Sequence, residues 1–207
     1  MKIKLKEPSE VKLEKDRVVV LPFFSERRPE IESFPQIRDK AKDFSEEVVS
    51  LKEGESRLAL SDKGKFLFVN IGKKEKWSRR KFLLFSRKTT RDLKGQGAEK
   101  ALFILEGILP KDGSIHNLSS QLAEGFLLAG YEFDRYKSSD KGRFQLVSID
   151  VSWTGAGNYQ KDLERGEIVG KAVNLVRDLA NAPGGEMTPK KLAEVAIKEV
   201  SRARKLD

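Results

Sequence analysis

Cysteine and histidine, which supply many catalytic nucleophiles, bases and metal ligands, are nearly absent from this sequence of 207 residues. It has no cysteine, and His116 is its one histidine. Thiol nucleophiles, disulfides, iron–sulfur clusters and cysteine–histidine zinc sites are therefore excluded. A catalytic triad built on His116 would also need a nucleophile and an orienting acid, and the sequence around it has no such signature. We expect any metal site to consist of carboxylates, carbonyls and lysine.

Acidic residues occur in two arrangements that could serve acid–base or metal chemistry. Glu46 and Glu47 lie on the polar face of a predicted helix, where a solvated surface is the ordinary explanation. Asp150 lies at the end of a predicted strand, which is a better position for function, and Asp162 follows it. One carboxylate does not make a site, so the sequence yields no candidate catalytic or metal-binding residue.

The elements that would position such residues alternate along the first 150 or so residues. Apolar and β-branched runs predict strands, and steps of three and four residues predict helices. The predicted strands are 18–21, stopped by Pro22, then a hairpin of 57–60 and 65–71, then 101–105 and 144–149. The predicted helices are 37–51, ended by Gly54, then 73–94 and 117–129. This alternation favours an α/β domain with a largely parallel or mixed sheet and helices on both faces.

The turn-rich segment from Trp153 to Gln160 is the predicted boundary, with one domain at 1–155 and the start of another at 156–207. Two amphipathic helices follow the boundary. The first covers about 161–180, and the second opens with Thr188 as N-cap and Pro189 at the first helical position. The second helix is still amphipathic at Asp207. We expect its apolar face to need a cover that these residues do not supply, as in a chain cut within its second domain.

Three motifs carry a resemblance to a known family. The most specific is Asn174-Leu-Val-Arg-Asp-Leu-Ala-Asn-Ala-Pro183, followed by Met187-Thr-Pro and Leu192-Ala. The others are Glu124 to Lys137, with Tyr-Glu-Phe-Asp-Arg-Tyr-Lys at its end, and Val69-Asn-Ile-Gly-Lys-Lys. From about residue 15 onwards the chain resembles the leucyl aminopeptidase family, the di-metal cytosolic aminopeptidases.

The resemblance implies a three-layer, macro-domain-like N-terminal domain with a mixed sheet, followed by two helices of an incomplete catalytic domain. It also implies a hexameric, cytoplasmic metallopeptidase that uses two divalent metals, Mn or Zn, to remove N-terminal amino acids from peptides. In the family the metal ligands and catalytic residues lie in later motifs such as Asn-Thr-Asp-Ala-Glu-Gly-Arg, and that string is absent here. We therefore carry over no cofactor and no catalytic or metal-binding residue. We expect this chain alone to be inactive and to serve assembly and access to the active site.

The helix-end motif is interpreted as structural. The negative end of the helix dipole stabilises an arginine near the helix C-terminus. An asparagine that precedes a proline satisfies free backbone carbonyls or forms the turn. We expect these residues to hold the junction with the catalytic domain. The predicted junction residues are Arg177, Asp178, Asn181, Pro183, Thr188 and Pro189.

A basic segment supports a competing function. Residues 73–94 contain ten basic and two acidic residues, which leaves eight of the chain's nine net positive charges there. Such a patch can bind phosphates by releasing counterions, which would make the chain a macro-like nucleic-acid-binding module. The ordinary alternative is a solvated helix face with Trp77 and Phe82 packed inward. The candidate anion-binding residues are Arg79, Arg80, Lys81, Arg87 and Lys88.

Two further expectations concern loops and targeting. The glycine loops 95–97 and 155–158 lack a complete phosphate-binding pattern, so we predict turns there and no ADP-ribose site. The N-terminus has no apolar signal core, and no apolar run approaches the roughly 20 residues of a membrane span. We therefore expect a soluble, cytoplasmic protein with no membrane partner.

Overall fold

The computed structural model describes residues 1–25, 27–41, 44, 50–62, 64–111, 114–136 and 146–203. The strands are β1 (Lys2–Lys6), β2 (Arg17–Phe23), β3 (Ser56–Ser61), β4 (Gly64–Asn70), β5 (Lys100–Ile104) and β6 (Ser148–Ser152). The helices are α1 (Pro35–Ala41), α2 (Arg79–Gly95), α3 (Ile115–Gly130), α4 (Gln160–Asn181) and α5 (Pro189–Ala203). Glu46, Glu47, Val48, Lys137 and Phe144 lie outside the described residues.

The six strands form one mixed sheet in the order β1-β6-β5-β2-β4-β3. All neighbours are parallel except β3 and β4, which form the predicted hairpin with Ser61 opposite Gly64. Apolar side chains from the two faces of the sheet form two separate cores. One core contains α2, α3 and the start of α4, and the other contains α1 and the connection between β1 and β2. The predicted α/β class with helices on both faces is confirmed.

Several predicted bounds are wrong, for identifiable reasons. β2 does not stop at Pro22 but continues to Phe23, because its pairing with β5 ends at Val20 and only β4 lies beside the proline. The basic helix begins at Arg79 with Ser78 as its N-cap, whereas residues 74–76 form a 3-10 turn. The last strand begins at Ser148 and extends to Ser152. Gly54 lies in a turn before β3 with φ of 81° and does not end a helix.

β1 was not predicted, although its alternating pattern is that of an edge strand. Ile3 and Leu5 are buried, while Lys2 and Lys4 are exposed. The strand pairs with β6 on one side only. On the other side, the backbone N–H of Ile3 donates to Glu167 at 3.2 Å and that of Leu5 donates to Gln160 at 3.1 Å. Helix α4 therefore satisfies donors that would otherwise make β1 an open edge.

Asp150, the carboxylate in the better position for function, belongs to a buried ionic cluster. Its Oδ2 lies 2.7 Å from Nζ of Lys6 and 3.2 Å from a guanidinium nitrogen of Arg17. Arg17 also pairs with Glu14 at 2.8 Å. These contacts hold the start of β2 and the end of β1 on the sheet. Lys6 and Arg17 therefore have a structural role beside Asp150.

Helices α3 and α4 approach each other closely along a face of small residues on α4. Leu163, Gly166 and Gly170 are the buried positions of this helix. A Cβ atom on Gly166 would overlap the backbone carbonyl of Ser120, and one on Gly170 would lie 2.8 Å from Cδ1 of Leu127. Glycine is therefore required sterically at Gly166, since backbone cannot move aside as a flexible side chain can.

We expect Gly166→Ala to lower the free energy of unfolding by about 2 kcal/mol, because the overpacking cost exceeds the gain of up to about 1 kcal/mol in helix propensity. Chemical denaturation followed by circular dichroism measures this change. Gly95→Ala is the matched control, because no atom lies within 4 Å of a Cβ atom placed on Gly95. A Gly166→Ala protein as stable as the parent would show that the helices are not held at this separation.

Candidate interdomain junction

The C-terminal end of α3 is capped by side chains from neighbouring helices. The last carbonyls of a helix have no partner within it. Asn174 of α4 donates to the carbonyl of Leu127 at 3.0 Å, and Arg177 donates to that of Leu128 at 3.3 Å. Lys94 of α2 donates to the carbonyl of Gly130 at 3.2 Å. Two of the three donors are cations, which the negative end of the helix favours.

Tyr131, directly after α3, is the centre of a group of contacts with the end of α4. The guanidinium of Arg177 lies 4.0 Å from the centre of its ring, a cation–π contact. Its hydroxyl donates to Oδ1 of Asp178 at 2.9 Å and accepts from Nδ2 of Asn181 at 3.2 Å. Three of the six predicted junction residues therefore converge on one tyrosine. Two of the motifs that carry the family resemblance meet here in space.

The environment raises the pKa of Tyr131 above its ordinary value. Burial of the phenol is the main cause, because it disfavours the phenolate. The bond from Asn181 opposes this rise, while the bond to Asp178 and the charge of Asp178 add to it. Tyr131 is therefore a neutral donor over a wide pH range.

The other predicted junction residues shape the turn between α4 and α5. The carbonyl of Pro183 accepts from the N–H groups of Glu186 and Met187. Thr188 accepts from the N–H of Lys191 at 3.2 Å and so caps α5, which begins at Pro189 as predicted. The hydroxyl of Tyr136 donates to Glu186 at 2.6 Å. This contact ties the turn to the segment after α3.

Beyond this junction, α4 and α5 expose most of their large apolar side chains. Ile168 is 70% exposed, Val176 62% and Ile197 67%. Val169 and Val173 of α4 and Leu192 and Val200 of α5 are also exposed. The described part of the chain thus covers the glycine face of α4 and leaves these apolar side chains exposed. None of its helices is long and apolar enough to cross a membrane.

The candidate anion-binding residues do not form one free surface. Arg79 donates to Gln121 and to the carbonyl of Ser114, each at 3.1 Å. Lys81 pairs with Glu53 at 3.3 Å, and Lys88 donates to the carbonyl of Gly54 at 2.9 Å. Arg87 packs beside Gly125 of α3. Of the five, Arg80 is exposed and has no partner among the residues described.

The remaining candidate groups also have structural partners. Nδ1 of His116 contacts Oδ2 of Asp162, which joins the first turns of α3 and α4. The loop at 155–158 is a turn, as predicted, and the carboxylate of Glu7 accepts from the N–H groups of Gly155 and Gly157. Among the residues described, no group of three or more His, Asp or Glu side chains could hold a metal ion. Those residues therefore do not fit the two metals implied by the resemblance.

Sequence reasoning missed Tyr131, Asn174 and Gly166 as junction residues. Tyr131 is part of the motif from Glu124 to Lys137, but nothing local indicates that its partners lie 47 and 50 positions away. The spacing of Gly166 and Gly170, four residues apart on one helix face, was a usable signal for close helix packing. The apolar residues dominate the pattern of this helix and outweigh that signal.

Comparisons with known proteins agree with these motifs. Residues 44–140 match the family model described as the N-terminal domain of the cytosol aminopeptidase family. The chain is similar to a probable cytosol aminopeptidase of Persephonella marina, with 31% identity over 202 residues. That match covers 87% of this chain and 38% of the relative, so the chain spans well under half of that protein's length.

Two solved proteins share the fold. The chain resembles a mutant of tomato leucine aminopeptidase with a TM-score of 0.70 and 23% identity, over 98% of this chain and 42% of that one. It resembles the bottromycin maturation enzyme BotP with a TM-score of 0.63 and 20% identity, over 94% and 38% of the two chains. A second BotP structure, in complex with Mn, gives a TM-score of 0.62 with 19% identity, covering 92% of this chain and 37% of that chain.

We expect Tyr131→Phe to lower the free energy of unfolding by about 1 kcal/mol at neutral pH, because Asp178 and Asn181 lose their shared partner. Urea denaturation measures the change. Tyr136→Phe is the matched control and should cost less than about 0.5 kcal/mol, since its hydroxyl makes one bond at the surface. Equal losses in the two variants would contradict a central role for Tyr131.

The raised pKa of Tyr131 gives a second expectation, at alkaline pH. Below the ordinary tyrosine pKa of about 10, the phenol is protonated in both folded and unfolded chains, and its contribution is fully present. As the pH rises from there through the higher folded-state pKa, the unfolded chain loses its proton first and the free energy of unfolding falls. Tyr131→Phe should make this fall shallower in denaturation series above pH 9. An unchanged slope would contradict the raised pKa.

Proposed function

The chain carries the N-terminal domain of the leucyl aminopeptidase family, and from this premise we propose that it is the non-catalytic N-terminal portion of a leucyl-aminopeptidase-like metallo-exopeptidase. The whole enzyme would remove N-terminal amino acids from peptides in the cytoplasm. The role proposed for this portion is to guide assembly, as a hexamer, and to restrict access to the active site.

The observation that carries this proposal is the division of α4 into two faces. Its glycine face packs on α3, whereas Ile168, Val173 and Val176 on its apolar stripe are exposed. Soluble domains rarely leave a continuous apolar stripe to water unless a partner covers it. We propose that residues 156–207 begin the catalytic portion and that this stripe is the surface on which the rest of that portion packs. The capped junction at Tyr131 would hold α4 in the orientation needed.

The two metals of the proposed enzyme, Mn or Zn, would be held outside the residues described here. Such metals polarise the peptide carbonyl and lower the pKa of a bound water. No step of that chemistry is assigned to the side chains of this chain. Its own contribution would be to position the metal-bearing portion through α4 and the junction.

We expect the purified chain, supplied with Mn²⁺ or Zn²⁺, not to release leucine from a chromogenic leucyl amide. The physical reason is that the sequence lacks the motif Asn-Thr-Asp-Ala-Glu-Gly-Arg, which carries ligands in the resembled family. A continuous absorbance assay against a metal-only control measures the release. Turnover above that control would contradict a non-catalytic role.

The proposed packing surface can be tested with the part of the Persephonella marina relative that follows the matched region, expressed separately. We expect it to bind this chain, and Val176→Lys to weaken binding about tenfold or more, because a buried ammonium loses its hydration. Calorimetry measures the affinity. Leu84→Lys, at a 53% exposed position on α2, is the matched control and should bind as the parent does. Equal binding by both variants would contradict the proposal.

A further inference from the structure

A groove lies between α2 and the hairpin of β3 and β4, away from the contacts between α3 and α4. One wall consists of side chains of α2, and the other consists of the turn before β3 and the end of β4. Its volume is about 190 Å³. Pockets that enclose drug-sized ligands measure roughly 300–1,000 Å³, so this groove suits a smaller molecule.

The part of the groove beside the N-terminal half of α2 is apolar. Ile71 and Phe85 are buried there, and Leu84 is exposed at the opening. The charged residues of this part, Lys81 and Glu53, pair with each other at 3.3 Å. An aliphatic side chain placed here would gain free energy by leaving water.

The part beside the C-terminal half of α2 carries two opposite charges that no counter-ion neutralises within the described part of the chain. Lys88 donates to the carbonyl of Gly54 at 2.9 Å, which is a neutral acceptor. The carboxylate of Asp92 has no hydrogen-bond or ion-pair partner among the same residues. Residues four apart on a helix are neighbours on its surface, so the two charges lie side by side.

Thr89, between these two charges, has an unused hydroxyl. Ser86 and Thr90 of the same helix donate to the carbonyls of Phe82 and Ser86, at 2.9 and 2.8 Å. Thr89 is 3% exposed and lines the groove, yet its hydroxyl bonds to no residue that the structure describes. Buried hydroxyls almost always have a partner, and a ligand in the groove would supply one.

We propose that this groove binds a free apolar α-amino acid with a side chain of about the size of leucine's. The ligand carboxylate pairs with Lys88, the ligand ammonium pairs with Asp92, and the hydroxyl of Thr89 donates to the carboxylate. The aliphatic side chain packs against Leu84 and Phe85.

The charges of the groove select this class of ligand. An α-amino acid carries its ammonium and its carboxylate on one carbon atom, which matches two opposite charges on neighbouring positions of a helix face. Asp92 would repel a simple anion, and Lys88 would repel a simple cation. The apolar part of the groove then favours an aliphatic side chain over a polar one.

This inference goes beyond the proposed function and does not rest on it, because the groove shares no residue with the exposed face of α4. An NMR titration of the 207-residue chain with L-leucine tests it. The amides of Thr89 and Asp92 should shift saturably, with a dissociation constant of about 1 mM or below, while that of Ile3 stays unchanged. Isocaproate, which lacks the ammonium, and L-leucinamide, which lacks the carboxylate, should each bind at least about tenfold more weakly.

Two substitutions assign the charges. Asp92→Asn should weaken binding of L-leucine about tenfold and should not weaken that of isocaproate. Lys88→Met should weaken binding of L-leucine about tenfold and should not weaken that of L-leucinamide. A change that only disturbed the helix would weaken every probe. Arg91→Gln is the matched control, since Arg91 is exposed on α2 outside the groove, and it should bind L-leucine as the parent does.

Four results would each overturn the proposal. They are the absence of saturable shifts up to about 20 mM L-leucine, equal binding of L-leucine and either analogue, unchanged L-leucine binding in Asp92→Asn or Lys88→Met, and equal weakening of all probes in either variant.

Discussion

The close contact between α3 and α4 is the constraint on which the rest of this structure depends. Gly166 lies against the backbone of Ser120, so the two helix axes are nearer than side chains would allow. This separation lets polar side chains on α4 reach the end of α3. Asn174, whose side chain is short, could not cap the carbonyl of Leu127 from a greater distance.

The same contact determines which face of α4 is left for a partner. A helix normally buries its most apolar stripe, because that burial supplies most of its stabilisation. Here the face that packs is made of glycine, leucine and polar caps, and the more apolar stripe is exposed. The packed face gains from close van der Waals contact and satisfied carbonyls instead. This arrangement suits a helix that packs on one domain with its glycine face and offers its apolar face to another.

Much of the fold was predictable because its signals are local. β-branched runs and turn residues identified β2, the hairpin and β5, and helical spacing identified α3, α4 and α5. The sequence pattern predicts the start of β6 too early, and the alternating lysines of β1 resemble surface charge. The 3-10 turn before α2 has the pattern of a helix, since basic residues continue through it. These errors arise where the same residues fit two local structures.

The contacts around Tyr131 were predictable only in part, because they join residues that are far apart in the sequence. Arg177, Asp178 and Asn181 were recognised from a motif, but their shared partner Tyr131 follows a different helix. The packing of Gly166 and Gly170 on α3 helps to bring the two segments together. The basic residues of α2, by contrast, are partly engaged within the chain, because Arg79, Lys81 and Lys88 each hold an acceptor there.

The protection of β1 depends on the same contact between α3 and α4. The packing of these two helices therefore decides whether the backbone donors of β1 are covered. Gln160 and Glu167 lie seven residues apart, about two turns, and so share one face of α4. That face reaches the N–H groups of Leu5 and Ile3 only while Leu163 and Gly166 hold the helix against α3. A loss of packing at Gly166 would therefore also uncover the β1 donors. One steric requirement at a glycine thus closes one edge of the sheet.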